Sequence, residues 1–159
     1  MTSKEIEILV ADYFNYRANL IVPNVSWGLG VHECDILVLT KAGYAWEVEI
    51  KTSVADVKAD LKKKHGHNSR KIRRLYFALP EVILEKSIKH IPERAGILVI
   101  KKRKYYDNLW CVKMREAKNN GNYKFSDREM FELARLGAIR IWGLKKRLYA
   151  ERKQLKLNL

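Results

Sequence analysis

Apolar residues recur over positions 3–19 as Ile6, Leu9, Val10, Tyr13 and Phe14, the i, i+3, i+4, i+7, i+8 spacing of an amphipathic helix. Thr2 followed by Glu5 forms a capping box at its start. The period then changes from that of a helix to that of a strand. Residues 20–27, LIVPNVSW, predict a strand, and Pro23, with no N–H to give a ladder, confines it to an edge or a bulge. Residues 33–40 and 44–51 predict two more strands. The short Lys41-Ala42-Gly43 turn makes 33–51 a β-hairpin. Ser53 can cap a helix over 54–64 with Val54, Val57 and Leu61 as its apolar stripe. A polar loop at 65–69 leads to a buried strand at 74–80 closed by Pro80. A helix at 81–89 follows, stopped by Pro92. Residues 95–101 and 108–114 predict two further strands, and 118–122 a loop tip. Ser126 with Glu129 makes a second capping box opening a long basic helix from 127 to about 154, which Gly137 and Gly143 can bend.

The order is helix, three strands, helix, strand, then additions. A tight turn makes the second and third strands antiparallel, whereas the helix at 54–64 lets the following strand return parallel. The expected fold is therefore α/β, a mixed sheet with helices packed on it. The 159 residues fit a single domain, with a core over 1–100 and a C-terminal hairpin and helix added over 101–159. An apolar content of 47% excludes wholesale disorder. No apolar run reaches membrane-spanning length, and the N-terminus shows no signal-peptide pattern. Cys34 and Cys111 form no CxxC pair. These features predict a soluble, intracellular, cytoplasmic protein with no membrane partner.

Charge is the strongest compositional signal. Thirty-two Lys and Arg against eighteen Asp and Glu give a net +14, and the isoelectric point is near 9.8. The excess is confined to the later chain. Residues 1–57 hold eight acids and four bases, whereas 58–159 hold ten acids and twenty-eight bases. A basic surface of this size attracts a polyanion, which points to nucleic acid.

The acids of the first part are not scattered. In YAWEVEIK the alternation sends Trp46, Val48 and Ile50 one way and Glu47, Glu49 and Lys51 the other, and Glu33 and Asp35 share a face of the preceding strand. Up to four acids and one lysine can thus meet on one side of the sheet. Neighbouring carboxylates disfavour one another's ionisation, and a divalent cation removes that cost. Oxygen donors suit Mg²⁺, Mn²⁺ or Ca²⁺. The same alternation also describes a half-buried strand with one wet face, where Lys51 merely pairs with a glutamate.

Asp35, followed after a turn by Glu49-Ile50-Lys51, resembles the PD-(D/E)xK nuclease superfamily of restriction endonucleases, Holliday-junction resolvases and DNA-repair nucleases. Its restriction-endonuclease-like core runs α-β-β-β-α-β, with Asp on the second strand and (D/E)xK on the third. The order read from residues 3–80 has that arrangement. The likeness is to small DNA-repair-type and resolvase-like members. It covers about half the chain and hardly extends beyond residue 100. The resemblance implies a Mg²⁺-dependent (or Mn²⁺-dependent) endonuclease that hydrolyses phosphodiester bonds in DNA during repair or recombination. Asp35, Glu49 and the backbone carbonyl of Ile50 would hold the metal, and Lys51 would hold or activate the attacking water and neutralise developing charge. One-metal and two-metal schemes both stay open. Cys34 replaces the proline of the pattern. Glu47 is an extra acid that either shifts the ligation or faces solvent. Glu5 is a candidate for the additional acid that relatives bring from the first helix, with Glu7 competing for that role. An alternative is a non-enzymatic nucleic-acid-binding protein on the same fold, and a third reading is a subunit of a larger nucleoprotein assembly.

Lys58, Lys62, Lys63, Lys64, Arg70, Lys71, Arg73 and Arg74 crowd directly behind the motif, with Asp60 the only acid among residues 58–74. They would hold phosphates flanking the scissile one, or form a solvated face. His65 and His67 lie in the loop between them and read as phosphate or solvent contacts. Tyr105, Tyr106 and Trp110 beside a basic run could clamp unpaired bases, or lie over an apolar underside. The final helix could lie along a nucleic-acid backbone or pair with a second copy through Phe131, Ile139, Trp142 and Leu148. DNA is the expected partner, with RNA and a homodimer left open.

Overall fold

The computed structural model describes residues 1–26, 29–60, 66–103 and 108–157, with side chains through 154. Six strands form one sheet in sequential order: β1 (Leu20–Val25), β2 (Cys34–Leu39), β3 (Ala45–Ile50), β4 (Ile72–Pro80), β5 (Gly96–Lys102) and β6 (Leu109–Arg115). The β1/β2, β2/β3 and β5/β6 pairs are antiparallel, and β3/β4 and β4/β5 are parallel. Each reversal follows from the connection. A five-residue connection, residues 40–44, joins β2 to β3, whereas α2 (Val54–Asp60) separates β3 from β4, and α3 (Glu81–Ser87) with a 3-10 turn (Ile88–His90) separates β4 from β5. Pro23 sits on β1, an edge strand, the place in a sheet where a residue without an N–H is tolerated. With α1 (Ser3–Tyr13) in front, the chain has the mixed, restriction-endonuclease-like α-β-β-β-α-β core, and α4 (Asp127–Leu157) is the long basic helix added at the end. Among the described residues no helix is long and apolar enough to cross a membrane.

α1 starts where its capping box predicts. The Thr2 hydroxyl accepts from the Glu5 amide at 3.3 Å and the Glu5 carboxylate accepts from the Thr2 amide at 2.6 Å. It ends at Tyr13, short of the expected residue 19, because Asn15 turns into the left-handed region at φ 55°. Asparagine tolerates that conformation better than most residues. The turn folds Phe14 onto Trp46 and Tyr76.

The sheet has two differently built faces. α1 covers one, where Ile6, Val10 and Phe14 pack against Ile36, Val48, Tyr76 and Leu98. The other carries two separate apolar clusters. In one, Leu37, Leu39 and Ile72 meet Phe125 and Leu133 at the start of α4. In the other, Phe77, Leu79 and Val99 meet Val57 of α2, with Ile91 and Ala95. Residues 47, 49 and 51 of the β3 end fall on this second face, and they are acids and a lysine.

Among the described residues, α4 docks through about its first half, as far as Arg140, which donates to the Asn24 carbonyl at 2.7 Å. Leu133 is buried, whereas Ile141, Trp142, Leu144 and Tyr149 are exposed. The anchor is Glu129, which caps Ser126, accepts from Lys71 at 2.6 Å and from the Tyr123 hydroxyl at 2.9 Å. Burial opposes its charge, but these hydrogen bonds outweigh that and pull its pKa down to about 2. A folded value below the ordinary 4.5 means its stabilisation is complete above that pH and is lost as pH falls towards 2. Thermal melts of the wild type should therefore drop steeply below pH 4.5, whereas Glu129→Gln should melt lower at pH 5 and show a shallower acid slope. Identical slopes would remove Glu129 as the anchor.

Candidate active site

The β2–β3 ladder pairs Leu39 with Ala45 through to Ile36 with Val48. Beyond that pair the Ile50 amide donates to the Asp35 carboxylate at 2.7 Å, so a side chain replaces a main-chain acceptor where the hairpin ends. Asp35 is thereby fixed against the Glu49-Ile50-Lys51 segment. Glu7 of α1 belongs to the same neighbourhood: partial burial and the charge of Asp35 push its pKa up. Glu5 is exposed and committed to the Thr2 cap. Glu33 lies before β2 and is exposed.

Glu47, Glu49 and Lys51 point away from the α1 layer, as alternation requires, but their side is closed. Their exposures are 0%, 1% and 4%, and the expected wet face is instead the floor of a polar seam between two apolar clusters. The seam is a continuous chain of contacts. The Lys51 amine donates to Glu49 at 2.8 Å and to Asp60 at 2.7 Å. The other Asp60 oxygen meets His67 Nε2 at 2.6 Å. His67 Nδ1 meets Glu47 at 2.5 Å, and both Glu47 oxygens lie 2.8 Å from His32 Nε2.

Burial penalises the charges of Lys51, His67 and Glu47, yet each is overruled by its partners. Glu49 and Asp60 hold the Lys51 pKa above its ordinary value. Asp60 and Glu47 raise His67 to about 9. His32 and His67 keep Glu47 below the ordinary carboxylate range. With His67 protonated, cation and carboxyl group alternate along Lys51, Asp60, His67 and Glu47, so each positive group lies between acids. The ring of Phe77 underlies the seam, 5.8 Å from the Lys51 amine and 6.0 Å from the His67 ring.

Three members of this seam carry no motif. Asp60 had a signal, because it continues the Val54, Val57 stripe at i+3 and so faces inward on α2. His67 has φ 55°, and Arg94 holds its loop by donating to the Gly66 and His67 carbonyls at 2.8 and 3.2 Å. Nothing in the local pattern reveals His67 or His32 as partners of Glu47.

The basic tract divides. Lys58 and Arg70 are exposed. Lys71 donates to the Leu29 carbonyl and to Glu129, both at 2.6 Å. Arg73 stacks 3.9 Å from the Tyr44 ring. Arg74 pairs with Glu116 at 2.8 Å and lies over Trp46, a residue of the α1 side of the sheet. Lys62, Lys63, Lys64 and His65, like Tyr105 and Tyr106, lie outside the described residues.

A family model described as DNA repair protein MmcB-like matches residues 5–147. Among solved structures, a protein of unknown function from Silicibacter pomeroyi shares the fold. It superposes with a TM-score of 0.62 at 21% identity, over 96% of this chain and 92% of that one. The search of curated proteins finds no match. The chain belongs to the MmcB-like DNA repair protein family.

Proposed function

We propose that this family member is a metal-dependent nuclease that hydrolyses phosphodiester bonds in DNA. The observation that carries the reading is Asp35, held by the Ile50 amide beside Glu49 and Lys51 at the open end of the β2–β3 hairpin. The donors there are hard oxygens, and Glu7 and Asp35 already repel each other. That fits a Mg²⁺ or Mn²⁺ ion held by Asp35, Glu49 and the Ile50 carbonyl, with Glu7 as the acid contributed by α1. Such an ion supplies Lewis-acid polarisation of the phosphoryl group and a more acidic bound water.

The chain's own part is positioning and charge. Asp35 is oriented by a main-chain donor, so its carboxylate is preorganised. Lys51 is held protonated by Glu49 and Asp60, which suits it to orient a water or to offset negative charge on the phosphate, and unsuits it to accept a proton. Lys58 and Arg70 are exposed behind the site. The exposed turns of α4 carry Lys145, Lys146, Arg147, Arg152 and Lys153, which can meet the DNA backbone without reading sequence.

The test is strand scission on supercoiled plasmid and on branched, duplex and single-stranded oligonucleotides with Mg²⁺ or Mn²⁺. Cleavage of at least one substrate, abolished by chelator, is expected. Salt-sensitive DNA binding with no scission on any of them would sink the nuclease reading and leave a DNA-binding protein on a nuclease fold.

A further inference from the structure

The seam ends in a group of side chains that the proposed chemistry does not use. Glu47 is fully buried, and two imidazoles from distant loops converge on it: His32 from the segment before β2, and His67 from the loop after α2. One ligand-type atom from each of the three lies within 4.8 Å of the other two. We infer that His32, Glu47 and His67 form a site for one divalent transition-metal ion of the Zn²⁺ or Co²⁺ type, distinct from the oxygen-donor pair Asp35 and Glu49. The inference does not depend on the nuclease reading.

Donor chemistry selects the ion. Two imidazole nitrogens and one carboxylate suit borderline transition metals, and Mg²⁺ prefers oxygen and water. Spacing permits it. Two ligands at about 2.1 Å from a tetrahedral ion stand about 3.4 Å apart. The present contacts of 2.5 and 2.8 Å would thus open by less than about 1 Å. The outer contacts are already of the right kind. A metal-bound histidine ordinarily gives its second ring N–H to a carboxylate, and His67 Nε2 lies 2.6 Å from Asp60 while Nδ1 faces Glu47. Access is also provided, since the side chain of His32 is 12% exposed and forms the rim, whereas Glu47 and His67 form the closed end. On binding, the metal takes the place of the Nδ1 proton, which leaves to solvent. The ion would tie both loops to β3. Through Asp60 it would also bear on Lys51, making it a positioning element for the neighbouring site.

The bland alternative is that protonated His67 simply stitches Glu47 to Asp60, with no metal involved. A cobalt titration separates the two. Full-length protein stripped with chelator is titrated with Co²⁺ and followed by visible d–d absorption, then with Zn²⁺ by calorimetry in buffers of different ionisation heat. One equivalent should bind with a d–d band and with proton release. His67→Asn and His32→Asn should each weaken binding at least about 100-fold, and Asp60→Asn about 10–100-fold. Asp35→Asn should keep the band. His32 lies at the rim, so its variant should stay folded, and circular dichroism checks this. The proposal is overturned if no band appears by about 1 mM Co²⁺, if the band survives unchanged in folded His32→Asn, or if millimolar Mg²⁺ displaces it, since Mg²⁺ competition would place the ion on the oxygen pair.

Discussion

Asp35→Asn should lower DNA cleavage by about 10³-fold or more while leaving the fold intact. The replacement is nearly isosteric, and the amide oxygen can still accept from the Ile50 N–H that now bonds the carboxylate at 2.7 Å. What it removes is one negative charge from the group proposed to hold the metal. A thousandfold loss corresponds to about 4 kcal/mol of barrier. That is the scale expected when a ligand charge disappears from a site whose catalytic power is electrostatic. Glu49→Gln should fall in the same range, and the Asp35→Asn, Glu49→Gln pair should be scarcely worse than either alone, because the groups act as one unit. DNA affinity should stay equal or rise, since negative charge beside a phosphate has been deleted. Mg²⁺-dependent cleavage within tenfold of wild type in folded Asp35→Asn would show that the chemistry sits elsewhere.

How far the sequence could lead depended on whether a contact was local. The hairpin, the parallel return after α2 and the direction of Glu47, Glu49 and Lys51 all follow from period and connection length, and all appear in the sheet. For Glu5 the local signal was the capping box, since a glutamate that completes one with Thr2 is already engaged; the charge of Asp35 acting on Glu7 is a contact between elements that no local pattern states. Burial of the acidic face was not local. Alternation states only that Glu47 and Glu49 share a side. That this side is roofed by α2, the 66–67 loop and the α4 docking region depends on residues from Val57 to Leu133, well outside the strand. The histidines illustrate the same limit. His32 and His67 are 35 positions apart and lie in loops without periodicity, so no spacing rule joins them to Glu47. The basic tract shows the limit in another way. Its charge was plain, but Lys71 and Arg74 spend theirs on Glu129 and Glu116, partners supplied by segments whose packing the sequence did not specify.

Lys51→Met should cost about 3–5 kcal/mol of folding stability, the scale measured when one partner of a buried ion pair is removed. Methionine has nearly the same length and fills the space above Phe77, so the cost is electrostatic rather than a cavity. The amine is the cation between Glu49 and Asp60, which are 1% and 5% exposed, and without it two buried carboxylates face each other. The sign can be checked within the same site. Adding Glu49→Gln to Lys51→Met removes one of the two abandoned charges and leaves Asp60 with His67, so the double variant should be more stable than Lys51→Met alone, contrary to additivity. Urea unfolding of the wild type, both single variants and the double variant measures this. A loss below about 1 kcal/mol for Lys51→Met, or a double variant as poor as the sum of the singles, would mean the amine does not hold the seam together. The outcome also governs how Lys51 is tested as part of the chemistry. If the expected loss is found, missing cleavage in a Lys51 variant could reflect unfolding, and only rates taken well below its melting temperature bear on catalysis. Asp35 is only half-buried and keeps its main-chain contact as asparagine, so its substitution reports on the reaction without that ambiguity.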